Sequence, residues 1–305
     1  MDRRNRNAQG RHRWRLLIMP LWRLALSVMC ILLGGGVSAA GQENYGKSPE
    51  IPEDVRRLLS MSRDDHWDLR SSRLTDLCAV FENDVFCGEP HPAKTSVLII
   101  GDSFGQDALN ALSAGYPEAN FITQFNGGCP LVPDLTGVRH SNEECSELNR
   151  LRFKAIETTL PEIDFVIVSI KITEDRLEGL KSTIDWMTDR HDKVIMLGVG
   201  PWIGRRDLGE IALEYGRLEN IDEALQPHFV KRDFWIDDEL EAHVTARNAT
   251  YIRKLDYFCP APDVYRVLTE SGWPFTADRT HLTLGAAEDF GRYLAMTYPD
   301  LLTPD

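Results

Sequence analysis

Four apolar runs of strand length, at 96–100, 120–124, 165–170 and 194–199, constrain the fold of this chain more than anything else in it. A strand with one face in water alternates apolar and polar residues. These runs read as nearly continuous hydrophobics, the pattern of parallel strands covered on both faces. A weaker run lies at 250–252. Between the runs the period changes to that of a helix. Residues 107–114 follow the first run, and 148–160 precede the third and stop before Pro161. Residues 175–190 precede the fourth, with Leu177, Leu180, Ile184 and Met187 on one face. A last helix over 284–298 starts after Thr283 as N-cap, ends before Pro299, and carries Ala287, Phe290 and Leu294 on one side. Strand–helix alternation of this kind predicts an α/β fold, about five parallel strands with helices on both sides. Sites in such sheets form at the carboxyl ends of strands.

The chain ahead of the first run is different. Its first 23 residues hold seven Arg against one Asp, and the stretch from Leu24 to Ala39 is uncharged and ends in small residues. Val37-Ser38-Ala39 resembles a signal-peptidase site, so 1–40 reads as a signal peptide or an N-terminal membrane anchor. Either way the body is expected outside the cytoplasm, periplasmic or extracellular, with 16–40 as the tether if uncleaved. Residues 41–94 read as a polar linker leading into a short helix and a loop-rich extension. The main domain is expected over 95–300, with an insertion at about 201–249 bearing Trp202, Trp235 and Arg205-Arg206. That insertion is either a cover over the site or ordinary surface helix.

Charge and cysteines narrow the function. The formal net charge is −13, and it would be more negative without the basic N-terminus. An acidic body argues against a phosphate-backbone partner, so no nucleic acid is expected. Cys78 and Cys87 bracket a short loop, as do Cys129 and Cys145. Both spacings suit local disulfides in an oxidising compartment, although spacing alone does not fix connectivity. Cys259 is the odd one, expected as a buried free thiol. No cysteine pair has metal-site spacing, and His66, His91, His140, His191, His228 and His243 are scattered among polar neighbours. They read as surface histidines, and neither metal nor cofactor is expected.

Two short segments carry chemistry. Gly101-Asp102-Ser103 ends the first apolar run, and Asp278-Arg279-Thr280-His281 leads into the last helix. A serine hydroxyl is a poor nucleophile until a base takes its proton. At a strand-to-helix turn its oxygen is exposed, and free backbone N–H groups, that of Ser103 included, can face an oxyanion. His281 supplies the base. Asp278, three residues earlier, can hold one imidazole nitrogen and leave the other for Ser103. Either segment alone is weak, since Asp278 could merely cap the turn. Residues 101–105 also match a Gly-x-Ser-x-Gly elbow. That elbow follows several strands, whereas none precedes Ser103 here. Trp273 and Phe275 read either as core or as flanks for an acyl or sugar group.

These segments resemble the SGNH, or GDSL-like, hydrolase superfamily, whose first block is Gly-Asp-Ser after the first strand and whose last is Asp-x-x-His before a final helix. The similarity spans roughly 95–297. It looks closest to the SGNH domains attached to acyltransferase-three-type envelope O-acetyltransferases, with Gly128-Cys129-Pro130, Cys145, the 193–201 strand with its Gly-Pro end, and Cys259-Pro260 as supporting features. The resemblance implies a three-layer α/β/α, flavodoxin-like fold and a catalytic trio of Ser103, His281 and Asp278. It also implies an oxyanion hole built from Ser103 and, from the second block, Gly128. The family's third-block Asn is missing, because the equivalent segment is Val168-Ser169-Ile170-Lys171-Ile172-Thr173. A lost oxyanion donor typically costs about 100- to 1000-fold in rate, and Asn126 is the candidate substitute. The implied function is O-acyl transfer to or from an envelope carbohydrate. The many-helix membrane domain that normally brings the acyl donor is not part of this chain, so a separate membrane partner would supply it. The alternatives are an esterase acting on acetyl esters and a catalytically weak carbohydrate-binding protein of the same fold.

Overall fold

The computed structural model describes residues 63–77, 86–126, 129–133, 143–204, 226–229, 234–259, 261, 264–276 and 278–304. Five strands pair in parallel: β1 (Ser96–Gly101), β2 (Asn120–Phe125), β3 (Phe165–Ser169), β4 (Val194–Leu197) and β5 (Thr250–Ile252). Their order is β2-β1-β3-β4-β5. This is the doubly wound arrangement expected from the alternating pattern, and its strand order reverses between β1 and β3.

The continuous apolar runs follow from burial on both faces. Val97 and Ile99 of β1 point into one core and Leu98 and Ile100 into the other; Phe165 and Ile167 of β3 oppose Val166 and Val168 in the same way. The first core is closed by α2 (Ser103–Gly115) and α7 (Leu284–Thr297), through Ala108, Leu109, Leu112, Phe290 and Leu294. The second is closed by α3 (Glu143–Thr159), α4 (Leu177–Thr188) and α5 (Phe234–Ala246), through Ile156, Leu180, Ile184, Leu240 and Val244. Each fully buried aliphatic side chain contributes about 1.5–3 kcal/mol. A short helix, α6 (Lys254–Phe258), follows β5.

Small residues set how closely the first two of these helices approach. A Cβ on Gly291 of α7 would collide with the Ala111 carbonyl of α2, and one on Gly115 of α2 with the Gly291 carbonyl. The two backbones therefore touch. This contact fixes the start of α2 relative to the loop that enters α7, where Thr283 caps the helix by accepting a hydrogen bond from the Ala286 N–H (3.1 Å).

Several boundaries differ from the sequence pattern. α2 begins at Ser103, not 107, because Asp102 caps it. α3 begins at Glu143, five residues earlier than the apolar pattern, with Glu143 and Glu144 in the first turn where the helix dipole favours them. The short helix expected after the linker is a 15-residue one, α1 (Arg63–Leu77), and extends into the stretch expected to be loop-rich. Its inward face carries His66 and Arg70, both fully buried, so no apolar stripe announced its length. Within the expected insertion, α5 is the ordinary crossover from β4 to β5, packed on the sheet through Ile236, Leu240 and Val244. Residues 205–225 and 230–233 lie outside the described residues.

Candidate active site

Ser103 is the first residue of α2, at the carboxyl end of β1 and beside the reversal in strand order. The turn that presents it is held by Asp102, 3% exposed. Asp102 Oδ1 accepts from the Phe104 N–H (3.0 Å), and both of its oxygens accept from the Lys171 N–H (3.1 Å each). Arg176 adds an ion pair at 3.1 Å. Asp102 is thus cap and clasp: it ties the start of α2 to the segment after β3. The two glycines flanking this turn are needed for space. A Cβ at Gly101 would collide with the Ser169 carbonyl, and one at Gly105 with the Phe125 ring.

The second half of the site stands in the loop before α7. His281 Nε2 lies 2.8 Å from Ser103 Oγ, and His281 Nδ1 lies 2.7 Å from Asp278 Oδ2. Asp278 Oδ1 accepts from the N–H groups of Thr280 (3.1 Å) and His281 (3.0 Å) and from the Thr276 hydroxyl (3.2 Å). Such a tight turn forces Arg279 to φ 105°, a left-handed value that costs a non-glycine residue about 1–3 kcal/mol. Burial works against the Asp278 charge. Its bond and attraction to His281, with the two backbone N–H groups, outweigh burial and hold the carboxyl far below the ordinary carboxylate range. The imidazole is walled by the rings of Trp67 (5.1 Å) and Phe104 (4.8 Å). The structure therefore brings Ser103, His281 and Asp278 into one hydrogen-bonded chain.

Residues that sequence reasoning missed support this chain from below. Arg70 of α1, fully buried, bonds the Ser103 carbonyl through Nη2, Gln106 Oε1 at 3.1 Å and Asp107 Oδ1 at 2.7 Å. Asp107 Oδ2 in turn accepts from the Leu282 N–H at 3.2 Å, next to His281. One buried ion pair thus braces both halves of the site. Arg152 of α3, also fully buried, does the same for the neighbouring loop. It donates to the carbonyls of Gly101 (2.6 Å) and Cys129 (2.9 Å), to Gln124 Oε1 (2.7 Å) and to Asn149 Oδ1 (3.1 Å). Burial pushes its pKa down to about 10, leaving it charged at neutral pH. A signal existed: Cys145, Asn149, Arg152 and Ile156 fall on one helical stripe, and a cation on such a stripe implies buried partners.

Other expected residues fared differently. Cys129 and Cys145 form a disulfide, with Cα atoms 5.5 Å apart. Cys87 is disulfide-bonded, while Cys78 lies outside the described residues. Cys259 is free and only half-buried. Gly128, the second oxyanion candidate, lies outside the described residues; its neighbour Asn126 donates its backbone N–H to the Gly101 carbonyl (3.4 Å). Phe275 is fully buried core, and the Trp273 ring packs against Gly285. The surface reading fails for His66. It is fully buried, and neither ring nitrogen has a hydrogen-bond partner. Among the described residues no cluster of His, Cys, Asp and Glu could hold a metal ion.

With this geometry in hand, comparisons identify relatives. A family model described as SGNH domain (fused to AT3 domains) matches residues 64–295. No curated protein matches. Among solved structures, the periplasmic domain of a lipopolysaccharide acetyltransferase from Salmonella ser. Paratyphi A is similar at 15% identity and a TM-score of 0.56, over 68% of this chain and 85% of its own. A carbohydrate acetylesterase family member from Sinorhizobium meliloti matches at 13% identity and a TM-score of 0.43, over 68% of this chain and 99% of its own. The C-terminal catalytic domain of peptidoglycan O-acetyltransferase A from Streptococcus pneumoniae matches at 12% identity and a TM-score of 0.37, over 70% and 97%. Likeness at these identities concerns the fold.

Proposed function

This chain belongs to the SGNH domains of the kind found fused to AT3 domains, and from that premise we propose that it is an exported serine acyl-enzyme carrying an O-acetyl group to or from a cell-envelope carbohydrate. One observation carries the chemistry: the relay Ser103 Oγ–His281 Nε2 at 2.8 Å and His281 Nδ1–Asp278 Oδ2 at 2.7 Å. A lone serine hydroxyl would not react at a useful rate; this one has a base within reach and the base has a fixed tautomer.

In this reading Ser103 Oγ attacks the acyl carbonyl as its proton passes to His281 Nε2. The imidazolium is stabilised by Asp278, which stays ionised. The Ser103 N–H, with Gly128 as second donor, holds the oxyanion. Collapse of the tetrahedral adduct expels the alcohol, which takes the proton from His281 and leaves an acyl-serine. A carbohydrate hydroxyl or water then loses its proton to His281, attacks the acyl-serine and releases Ser103. The first acceptor makes a transferase, the second an esterase. The third-block Asn has no counterpart, and the segment in its place is bound through the Lys171 N–H to Asp102.

Export is supported by the basic N-terminus ahead of an uncharged stretch and by the Cys129–Cys145 disulfide. Among the described residues no helix is long and apolar enough to cross a membrane. For transfer from a cytoplasmic acyl donor, a separate membrane protein would deliver the acetyl group. A fluorophosphonate probe tests the chemistry: it should label the wild type and not Ser103→Ala. Aryl acetate turnover with and without an oligosaccharide acceptor then separates acetyl transfer from hydrolysis. A protein that binds polysaccharide but resists the probe would instead be a binding module that keeps the fold.

A further inference from the structure

Beside the relay lies a narrow cleft lined by Phe104, Ile170, Lys171, Trp202, Lys254 and Thr280, among others. It adjoins the relay at two points, because Phe104 follows the nucleophile and Thr280 precedes the base. Lys254 is its unusual member. It stands at the start of α6, past the carboxyl end of β5, and is 95% buried, being only 5% exposed. Among the described residues no group accepts a hydrogen bond from its Nζ. Its Nζ lies 5.6 Å from the centroid of the Phe104 ring, and that same ring lies 4.8 Å from the His281 ring. Burial lowers its pKa, and Asp107, Asp237 and Asp102 oppose this through longer-range attraction.

An ammonium on a side chain this buried, with no acceptor among the described residues, is better stabilised when a group entering the cleft supplies one. A second cation faces the same cleft. Lys171 Nζ lies 4.9 Å from the centroid of the Trp202 ring and likewise has no hydrogen-bond acceptor among the described residues. Two unpaired lysines in one cleft are notable on a chain of net charge −13, where carboxylates are plentiful. The remaining lining is apolar, from Ile170, Ile172 and Val199, with open space above Gly200. The space they enclose is about 20 Å³, room for a carboxylate tip while the rest of the sugar lies outside it.

We propose that this cleft is the subsite for a carboxylate on the carbohydrate, that of a hexuronic acid residue, with Lys254 as its buried charge partner and the Lys171–Trp202 pair as the outer wall. The proposal rests on the reading of this site as carbohydrate-directed and names the substrate class.

Binding tests it without requiring turnover. The full chain would be titrated by calorimetry with a tetramer of galacturonic acid and with neutral xylotetraose. The uronate should bind about tenfold or more tightly, with an affinity that falls as salt is raised. Lys254→Met, close in volume and uncharged, should remove that preference. Equal affinities in the wild type, no binding of either sugar, or a preference that survives in folded Lys254→Met would each overturn the proposal. If Lys254→Met does not fold, Lys171→Met decides: the preference should shrink, and an unchanged ratio is the overturning result. Aryl acetate hydrolysis measured alongside reports on Ser103 separately. Turnover without uronate selectivity sinks the subsite alone, and selectivity without turnover sinks the acyl-enzyme alone.

Discussion

Two histidines at this end of the sheet have opposite surroundings. His281 has a partner on each ring nitrogen, and His66 has none on either. For His66 burial is the largest influence and lowers its pKa; Asp278 and Asp107 pull it up, Arg70 and His281 push it down, and burial wins. The sign for stability follows. The unfolded chain takes up this proton at the ordinary histidine value of about 6.5, whereas the folded protein does so only at lower pH. Below that value the unfolded state binds more protons, so stability should fall as pH falls. The Asp278 contribution runs in a separate window: it is fully present above the ordinary carboxylate range and is lost only in strong acid. Urea midpoints between pH 7.5 and 5.5 should therefore decline more steeply in the wild type than in His66→Gln, and parallel lines would dismiss the role of this side chain. That Ser103, His281 and Asp278 would lie together was legible in sequence, because each sits in a short local motif. His66, Arg70 and Arg152 were not, because what makes a buried cation or imidazole significant is supplied by other elements of the fold.

The elements divide in the same way. Strands β1, β3 and β4 could be read directly, since burial on both faces leaves an apolar run that little else in the chain imitates. Helix α1 could be read only in part: a short helix was expected after the linker, but not its length, because its inward face is polar. The loop between β2 and α3 is intermediate. Its cysteines were visible, but not the Arg152 and Asn149 bonds that hold the carbonyls of Cys129, Pro130 and Val132. Gly128 lies in this loop, outside the described residues, so the described residues beside it bear on the proposed oxyanion hole. Replacing Cys129 and Cys145 together by Ser should lower unfolding free energy by about 2–4 kcal/mol. It should also lower kcat for aryl acetate by about tenfold, less than the loss of a whole oxyanion donor. The hydrogen bonds from Arg152 and Asn149 should keep KM nearly unchanged. A double variant with wild-type kcat would detach this loop from the chemistry.

At the scale of the molecule the site is made where three separate pieces converge. The strand order puts Ser103 beside the gap between β1 and β3, and the close backbone contact of α2 with α7 brings up the loop carrying His281. The third piece is α1, which lies ahead of the expected 95–300 domain. It reaches the site through Arg70 and Trp67 and pairs with α7 through Arg73 and Glu288 (2.6 Å). A chain beginning at residue 86 would keep every strand, the relay and its motifs, yet lose the group that holds the Ser103 carbonyl. It would also leave the buried Asp107 without its cation, a state whose cost is typically about 3–5 kcal/mol. Such a chain should retain the circular dichroism of an α/β protein, melt well below the full chain, and hydrolyse aryl acetate about 100-fold more slowly, the scale expected when a reacting group shifts by an ångström. Adding Asp107→Asn to the shortened chain should recover part of the stability, since a neutral amide no longer needs Arg70, without restoring the rate. If the shortened chain works at the full rate, the relay is self-supporting and α1 is packing alone. If Asp107→Asn lowers its stability further, the buried charge is being compensated by something other than α1.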